Sequence, residues 1–319
     1  MTTNTRNQPA PRRVMIGAGA HAQLTALLRA RRPDLEVRGK PYTEIASDDL
    51  AWADAYMGFK RPPLPSMGNV RWVHCTGAGV DSWLEPPELP REILLTRTSE
   101  SFGVYIAEWA LARALAMRQQ IVDLAEAQRR HEWSPREISY IRGSRAVIVG
   151  TGDVGSQIAK LFSALGASVH GVSRSGRGDA SIFATTSRVT ELTRLAGDAD
   201  WLIVTLPLTP ETRGLIGREI LSVCRNAVLM NAGRGAVVDE KMIPEALDKG
   251  WLSGAILDVF ETEPLPKESP LWDDRRVMIS PHISGLTTSE GAIGGFLECL
   301  GEIERGEEPV RTVNRELGY

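Results

Sequence analysis

The chain has 319 residues, 42% hydrophobic and 24% charged, which suits a soluble globular protein too long for one ordinary core; two domains are expected. A formal charge of -3 without a basic block excludes the electrostatic footprint of a nucleic-acid binder or a membrane-surface protein, so a small anionic ligand would have to be attracted locally. Cys75, Cys224 and Cys299 are widely spaced and odd in number, which argues against a disulfide framework or a metal site and fits a reducing, cytoplasmic setting.

Residues 1–12 are polar with two prolines and read as a frayed tail, not a signal peptide. No run approaches the roughly 18 to 20 apolar residues of a spanning helix. Arg13-Val-Met-Ile-Gly17-Ala-Gly19-Ala-His-Ala22 resembles strand, glycine turn and helix, but no later motif builds a nucleotide site around it. It is expected to be the first βα unit of a separate, smaller domain. Phe59-Lys60-Arg61-Pro62-Pro63 is a stiff loop with an aromatic and two cations, suited to closing over a small acid. Trp72-Val-His-Cys75 predicts a strand running into the small-residue turn Thr76-Gly77-Ala78-Gly79, whose backbone N–H groups could hold an anion as a nest does. Either segment could equally be a plain turn. From Val104 to about Arg130 a helix is predicted, apolar almost all round in its first half, so it should be buried on more than one side, at a subunit interface or between domains.

Arg145-Ala-Val-Ile-Val-Gly150-Thr-Gly152-Asp-Val-Gly155 followed by a helical stretch ending at Gly166 is the dinucleotide fingerprint in its required context. Gly150 would make the turn, Gly152 would let backbone approach a pyrophosphate, and Gly155 would allow close helix packing. The second strand, Ala167–Val172, ends in Ser173-Arg174-Ser175-Gly176-Arg177. NAD enzymes carry an acidic residue about there for the ribose hydroxyls, whereas Arg174 can grip a 2′-phosphate and the serines can donate to it. NADP(H) is therefore expected over NAD(H).

Further short apolar runs, at Trp201–Leu206, Ala227–Met230, Ala255–Leu257 and Val277–Ile279, alternate with helix-sized segments and predict a parallel sheet covered on both faces. Arg234, Glu263 and His282 each follow one of these runs, and ligands bind at the carboxyl ends of strands in open α/β sheets. Together they supply what reduction of a 2-oxo acid would need: a fork for the carboxylate, an anion that keeps the donor charged, and a proton donor for the carbonyl oxygen.

With these motifs assembled, the chain resembles the D-isomer-specific 2-hydroxyacid dehydrogenases, and most closely their glyoxylate/hydroxypyruvate reductase branch. The likeness rests on Gly77–Asp81, Gly150–Gly155, Leu206–Ile216, Asn231–Gly235, Asp258–Pro264 and Pro281-His282, and runs from about residue 13 onward. It implies two doubly wound α/β parallel-sheet domains: a Rossmann-type nucleotide domain, 99–283, inserted into a smaller flavodoxin-like substrate domain, 1–98 with 284–319. It also implies a homodimer through the nucleotide domain's long first helix, and a small 2-oxo or 2-hydroxy acid as substrate, with no nucleic-acid or membrane partner. Carried over by residue, Arg234, Glu263 and His282 are catalytic, with Glu263 holding His282. Backbone at Ala78 and Gly79 would bind the substrate carboxylate, with Phe59 and Lys60 nearby. Cofactor contacts fall on Gly150, Gly152, Asp153, Val154, Gly155, Ser173, Arg174, Ser175, Leu206, Pro207, Thr212, Ala232 and Gly233, and Asp258 would meet the nicotinamide carboxamide. Formate dehydrogenases pair their histidine with Gln, so Glu263 argues against that activity. Serine-pathway phosphoglycerate dehydrogenases often carry a regulatory extension, and this sequence stops at Tyr319. The reductase branch often has Trp where Phe59 stands, which leaves the substrate open. The same scaffold resembles nucleotide-sensing co-repressors, and an alanine- or ketopantoate-type specificity differs only in pocket side chains.

Overall fold

The structure, a computed structural model, describes residues 10–98, 102–285, 287–316 and 318. Most of the polar amino-terminal segment read as a frayed tail thus lies outside the described residues. The chain divides into two compact units, residues 1–100 with 286–319, and residues 101–285.

The first unit begins with β1 (Arg13–Gly17), α1 (His21–Arg31), β2 (Glu36–Lys40), α2 (Ser47–Trp52), β3 (Ala55–Met57), β4 (Trp72–Cys75), α3 (Asp81–Leu84) and β5 (Leu94–Arg97). Its five strands are parallel in the order β2-β1-β3-β4-β5. Alternate residues of β1 point to opposite faces, and both faces are covered. Val14 and Ile16 pack in one core with Leu24 and Leu28, while Met15 packs in the other with Tyr56, Val73 and Trp83. The early glycine motif is thus the first βα turn of this unit, as its isolation in the sequence suggested.

The second unit contains α4 (Phe102–Arg118), α5 (Ile121–Arg129), β6 (Arg145–Val149), α6 (Asp153–Ala164), β7 (Ser168–Ser173), β8 (Thr185–Arg188), α7 (Leu192–Ala196), β9 (Trp201–Val204), α8 (Arg218–Leu221), β10 (Ala227–Asn231), α9 (Ile243–Asp248), β11 (Leu252–Leu257) and β12 (Val277–Ile279). The chain then returns to the first unit with α10 (Ser289–Glu304), whose Ile293, Phe296 and Leu300 complete the core that holds Val14 and Ile16. The seven strands are parallel in the order β12-β11-β10-β9-β6-β7-β8, so the strand order reverses at β6 and β9. That switch point is where a doubly wound sheet opens its binding crevice.

The helix expected over Val104 to Arg130 is two helices, because Gln120 adopts a left-handed backbone with φ 52° and restarts the chain as α5. Strand β8 was not legible in the sequence: Thr185-Thr-Ser-Arg188 is a polar edge strand without an apolar run.

Candidate active site

The crevice is lined first by glycine. Gly150 turns at φ 115°, outside the range of ordinary side chains, and a Cβ on Gly155 would lie 1.9 Å from the Gly150 carbonyl oxygen. A Cβ on Gly152 would meet nothing within 4 Å, so backbone is open to an approaching group there. Gly152 is also the N-cap of α6 and leaves its first-turn N–H groups without a side-chain cap. An open glycine edge and uncapped amides on a positive helix end are what a pyrophosphate requires, so these residues fit a dinucleotide. At the start of α6 the Asp153 carboxylate accepts from the Gly103 N–H at 3.0 Å.

After β7 the loop closes on itself. Ser173 Oγ donates to the Arg177 carbonyl at 2.9 Å and accepts from the Arg177 N–H at 3.1 Å, while Thr151 Oγ1 donates to the same carbonyl at 2.8 Å. Ser175 Oγ accepts from the Arg177 N–H at 3.3 Å. The Ser173 hydroxyl is therefore engaged in building the turn, and the side chains of Arg174 and Arg177 are the two exposed cations of the turn. Glu211 is its neighbour: backbone and Thr209 hydrogen bonds, with the charge of Arg174, hold the Glu211 carboxyl below its usual range. On the other side of the crevice Gly233 packs against Leu206, a Cβ there falling 2.6 Å from the Leu206 oxygen, which brings Ala232-Gly233 to Leu206-Pro207. Thr212 Oγ1 donates to the Pro207 carbonyl at 2.7 Å and shapes that loop.

The three candidate catalytic side chains converge within the second unit. The loop after β10 is folded by Asn231, whose side chain donates to the Arg234 carbonyl at 3.0 Å and accepts from the Gly233 N–H at 3.1 Å. Gly235 then presses onto the loop after β11: a Cβ would fall 1.9 Å from the Phe260 carbonyl carbon. This approach, possible only for glycine, sets Arg234 beside Glu263. Glu263 Oε1 accepts from the Phe260 N–H at 3.0 Å, and Glu263 Oε2 lies 2.8 Å from His282 Nδ1. Burial pushes the Glu263 carboxyl up, but hydrogen bonds from His282 and Phe260, with the charges of His282 and Arg234, outweigh it and hold the group below its ordinary value. The ionised carboxylate fixes the ring through Nδ1, leaving Nε2 for another partner.

Asp258 is fully buried, and its carboxylate accepts from Ser280 Oγ and the N–H groups of Ile283 and Ser284. The structure thus gives it a scaffolding task behind the His282 loop that motif reading had not assigned. Ser280 and Trp109, which extend this scaffold, carried no signal in the sequence beyond standing near Pro281-His282 and within an apolar helix.

Phe59, Lys60, Ala78 and Gly79 belong to the first unit and are grouped there. The Phe59 ring lies on the turn, a Cβ at Gly77 falling 2.7 Å from its Cδ2. Phe59's carbonyl accepts from Trp83 Nε1 and Ser82 Oγ, both at 3.1 Å, and Tyr56 donates its hydroxyl to the Lys60 carbonyl at 2.9 Å. Arg97 donates to the Ala78 carbonyl at 2.8 Å, a support the sequence did not disclose.

A family model described as D-isomer specific 2-hydroxyacid dehydrogenase, NAD binding domain, matches residues 111–284, more than half of the chain. The chain belongs to the D-isomer-specific 2-hydroxyacid dehydrogenases. It is 33% identical over 306 residues to glyoxylate/hydroxypyruvate reductase A of Enterobacter sp. (strain 638), covering 93% of this chain and 94% of that protein. Among solved structures, a D-isomer specific 2-hydroxyacid dehydrogenase of Xanthobacter autotrophicus Py2 in complex with NADPH and MES matches with a TM-score of 0.85 at 30% identity, covering 98% of this chain and 100% of that one. The NADPH-dependent glyoxylate/hydroxypyruvate reductase of Sinorhizobium meliloti, in complex with NADP and sulfate, matches with a TM-score of 0.85 at 29% identity, covering 96% and 99%. This 2-hydroxyacid dehydrogenase is accordingly an NAD(P)-dependent oxidoreductase with a nicotinamide cofactor, which agrees with the glycine cradle. Among its described residues no helix is long and apolar enough to cross a membrane.

Proposed function

We propose that the protein reduces a small 2-oxo acid of the glyoxylate or hydroxypyruvate type to the D-2-hydroxy acid, with NADPH as the preferred reductant and His282 as the proton donor. The observation that carries this reading is the 2.8 Å contact of His282 Nδ1 with Glu263 Oε2, within reach of the charge of Arg234. In an imidazolium both ring nitrogens carry protons. Glu263 takes the hydrogen bond from Nδ1–H, and Nε2–H faces the substrate oxygen. When bound, reduced nicotinamide supplies the hydride. As negative charge grows on the carbonyl oxygen, Nε2–H stabilises it and then transfers its proton. Arg234 offers the substrate carboxylate a planar fork.

In the first unit, the turn at Ala78 and Gly79 offers backbone N–H groups to an anion, with Phe59 and Lys60 beside it. At the nucleotide end Arg174 is the partner of a 2′-phosphate, a reading supported by relatives described with NADPH or NADP. The apolar face carried by α4 and α5 is the surface of a homodimer.

The test is NADPH oxidation with glyoxylate and with hydroxypyruvate, in wild type and His282→Ala. The variant should lose roughly 10² to 10⁴ in turnover while binding NADPH normally. Retention of more than about a tenth of wild-type turnover would remove His282 from the role, since general acid catalysis contributes more than that.

A further inference from the structure

Behind His282, the segment 280–285 is gripped by side chains that the proton-donor reading does not use. Asp258 takes three consecutive backbone N–H groups: its main-chain oxygen accepts from His282 at 2.8 Å, Oδ1 from Ile283 at 3.0 Å, and Oδ2 from Ser284 at 2.8 Å. Oδ1 also accepts from Ser280 Oγ at 2.5 Å, and Ser280 Oγ in turn accepts from Trp109 Nε1 at 3.0 Å. Chemistry fixes the direction of this relay. An indole N–H can only donate, a carboxylate can only accept, and the single proton of a serine hydroxyl links the two.

Helix α4 braces the same segment at a second point, since a Cβ at Gly285 would fall 2.8 Å from Ile106 Cγ1. The relay is dry: Trp109 is 7% exposed, Ser280 3% and Asp258 0%. His282 meanwhile holds a left-handed backbone, φ 53°, which a side-chain-bearing residue keeps only when its surroundings enforce it.

We infer that Trp109 is a positioning residue for His282: through Ser280 it orients Asp258, whose three grips fix the left-handed turn that aims the imidazole. The inference rests on the reading of His282 as proton donor. Without the indole N–H, the Ser280 oxygen is buried short of a donor and its hydroxyl can rotate, so Asp258 loses the group that orients it. Small displacements of a catalytic group cost rate much more than they cost substrate or cofactor binding.

The experiment compares Trp109→Phe, Ser280→Ala, the double variant and His282→Ala, all in the full chain. kcat and KM are measured with glyoxylate and NADPH, and NADPH binding is followed by fluorescence. Each single variant should lose roughly ten- to a hundredfold in kcat, the scale of a misplaced catalytic group, with KM and NADPH binding held within about threefold. Because both act through Asp258, the double variant should be little worse than the slower single one. Should Trp109→Phe fail to fold, Ser280→Ala, which removes only one oxygen, decides alone. An inactive His282→Ala beside single variants of near wild-type kcat, or losses that multiply in the double variant, would overturn the inference and leave the proton donor in place. An active His282→Ala would overturn the underlying reading instead, and the inference with it.

Discussion

In the proposed site, Glu263 is the residue whose surroundings bear most directly on the pH dependence. Its carboxyl is held below the ordinary range, so on the acid side it stays ionised and the pair with His282 persists until the pH falls past that lowered value. Glu263→Gln removes that titrating carboxyl, so the fall in reduction rate at the acid end that follows protonation of Glu263 should be absent from the variant. A pH–rate profile of kcat/KM for glyoxylate checks this, and superimposable profiles would detach Glu263 from His282. Arg174 governs the second residue-level prediction. A charge-assisted bond to phosphate is worth about 1.5 to 3 kcal/mol, or about ten- to a hundredfold. Because Arg174 lies at the surface beside Glu211, NADPH should be preferred toward the lower end, about tenfold, at modest salt. Arg174→Ala should lose that preference, and Ser173→Asp should reverse it by repelling the 2′-phosphate and opening the turn that Ser173 closes. Equal efficiencies with NADH and NADPH in wild type would return Arg174 to an ordinary surface cation.

Between β4 and β5 lies a buried polar ladder that belongs to stability, not catalysis. His74 on β4 bonds Thr96 Oγ1 at 2.8 Å and Thr98 Oγ1 at 3.0 Å, and Trp72 Nε1 donates to the same Thr96 oxygen at 2.8 Å. Trp72 stacks on Phe296 of α10, with His74 edge-on to both rings. Burial, and secondarily the charge of Arg311, pushes the His74 imidazole down to about 3. An unfolded chain accepts this proton near pH 6.5, whereas the folded one refuses it until about 3, so the stability is complete above about pH 6.5 and is lost as the pH falls through that window. The slope is at most about 1.4 kcal/mol per pH unit for one proton. Urea unfolding followed by tryptophan fluorescence should show wild type weakening between about pH 6 and 4 more steeply than His74→Gln, whose amide does not titrate there. Equal slopes would mean that other groups carry the acid sensitivity.

Several large apolar side chains of the second unit are exposed. Val104 and Tyr105 on α4, Ile121 and Val122 on α5, and Trp133 and Tyr140 beyond them are all exposed, Trp133 at 98%. Exposed aromatics and aliphatics on these consecutive helices and the segment after them support the proposed homodimer, in which a second copy would meet the same face. Sedimentation should therefore report twice the mass of one chain. Replacing Val122 and Trp133 with Glu should yield monomers at micromolar concentration, because two buried unpaired carboxylates per subunit cannot be accommodated. A wild-type monomer, or an unaltered dimer in the double variant, would move the interface elsewhere.

Local grammar determined much of this protein from the sequence. Short apolar runs followed by helix-sized segments specify a parallel sheet, and Gly150, Gly152 and Gly155 specify a helix end open to a dinucleotide, because these signals are contained within one βα unit. The positions of Arg234, Glu263 and His282 after three successive strands were legible for the same reason. The side-chain partnerships were decided by tertiary structure. Trp109 and Ser280 are 171 residues apart in the chain, and no spacing rule joins them. The docking of Gly235 on Phe260 likewise depends on what lies across the fold. Strand periodicity dictates which end of the sheet a residue reaches, whereas the final orientation of a catalytic side chain depends on buried donors and acceptors that must be satisfied wherever the chain happens to bring them together.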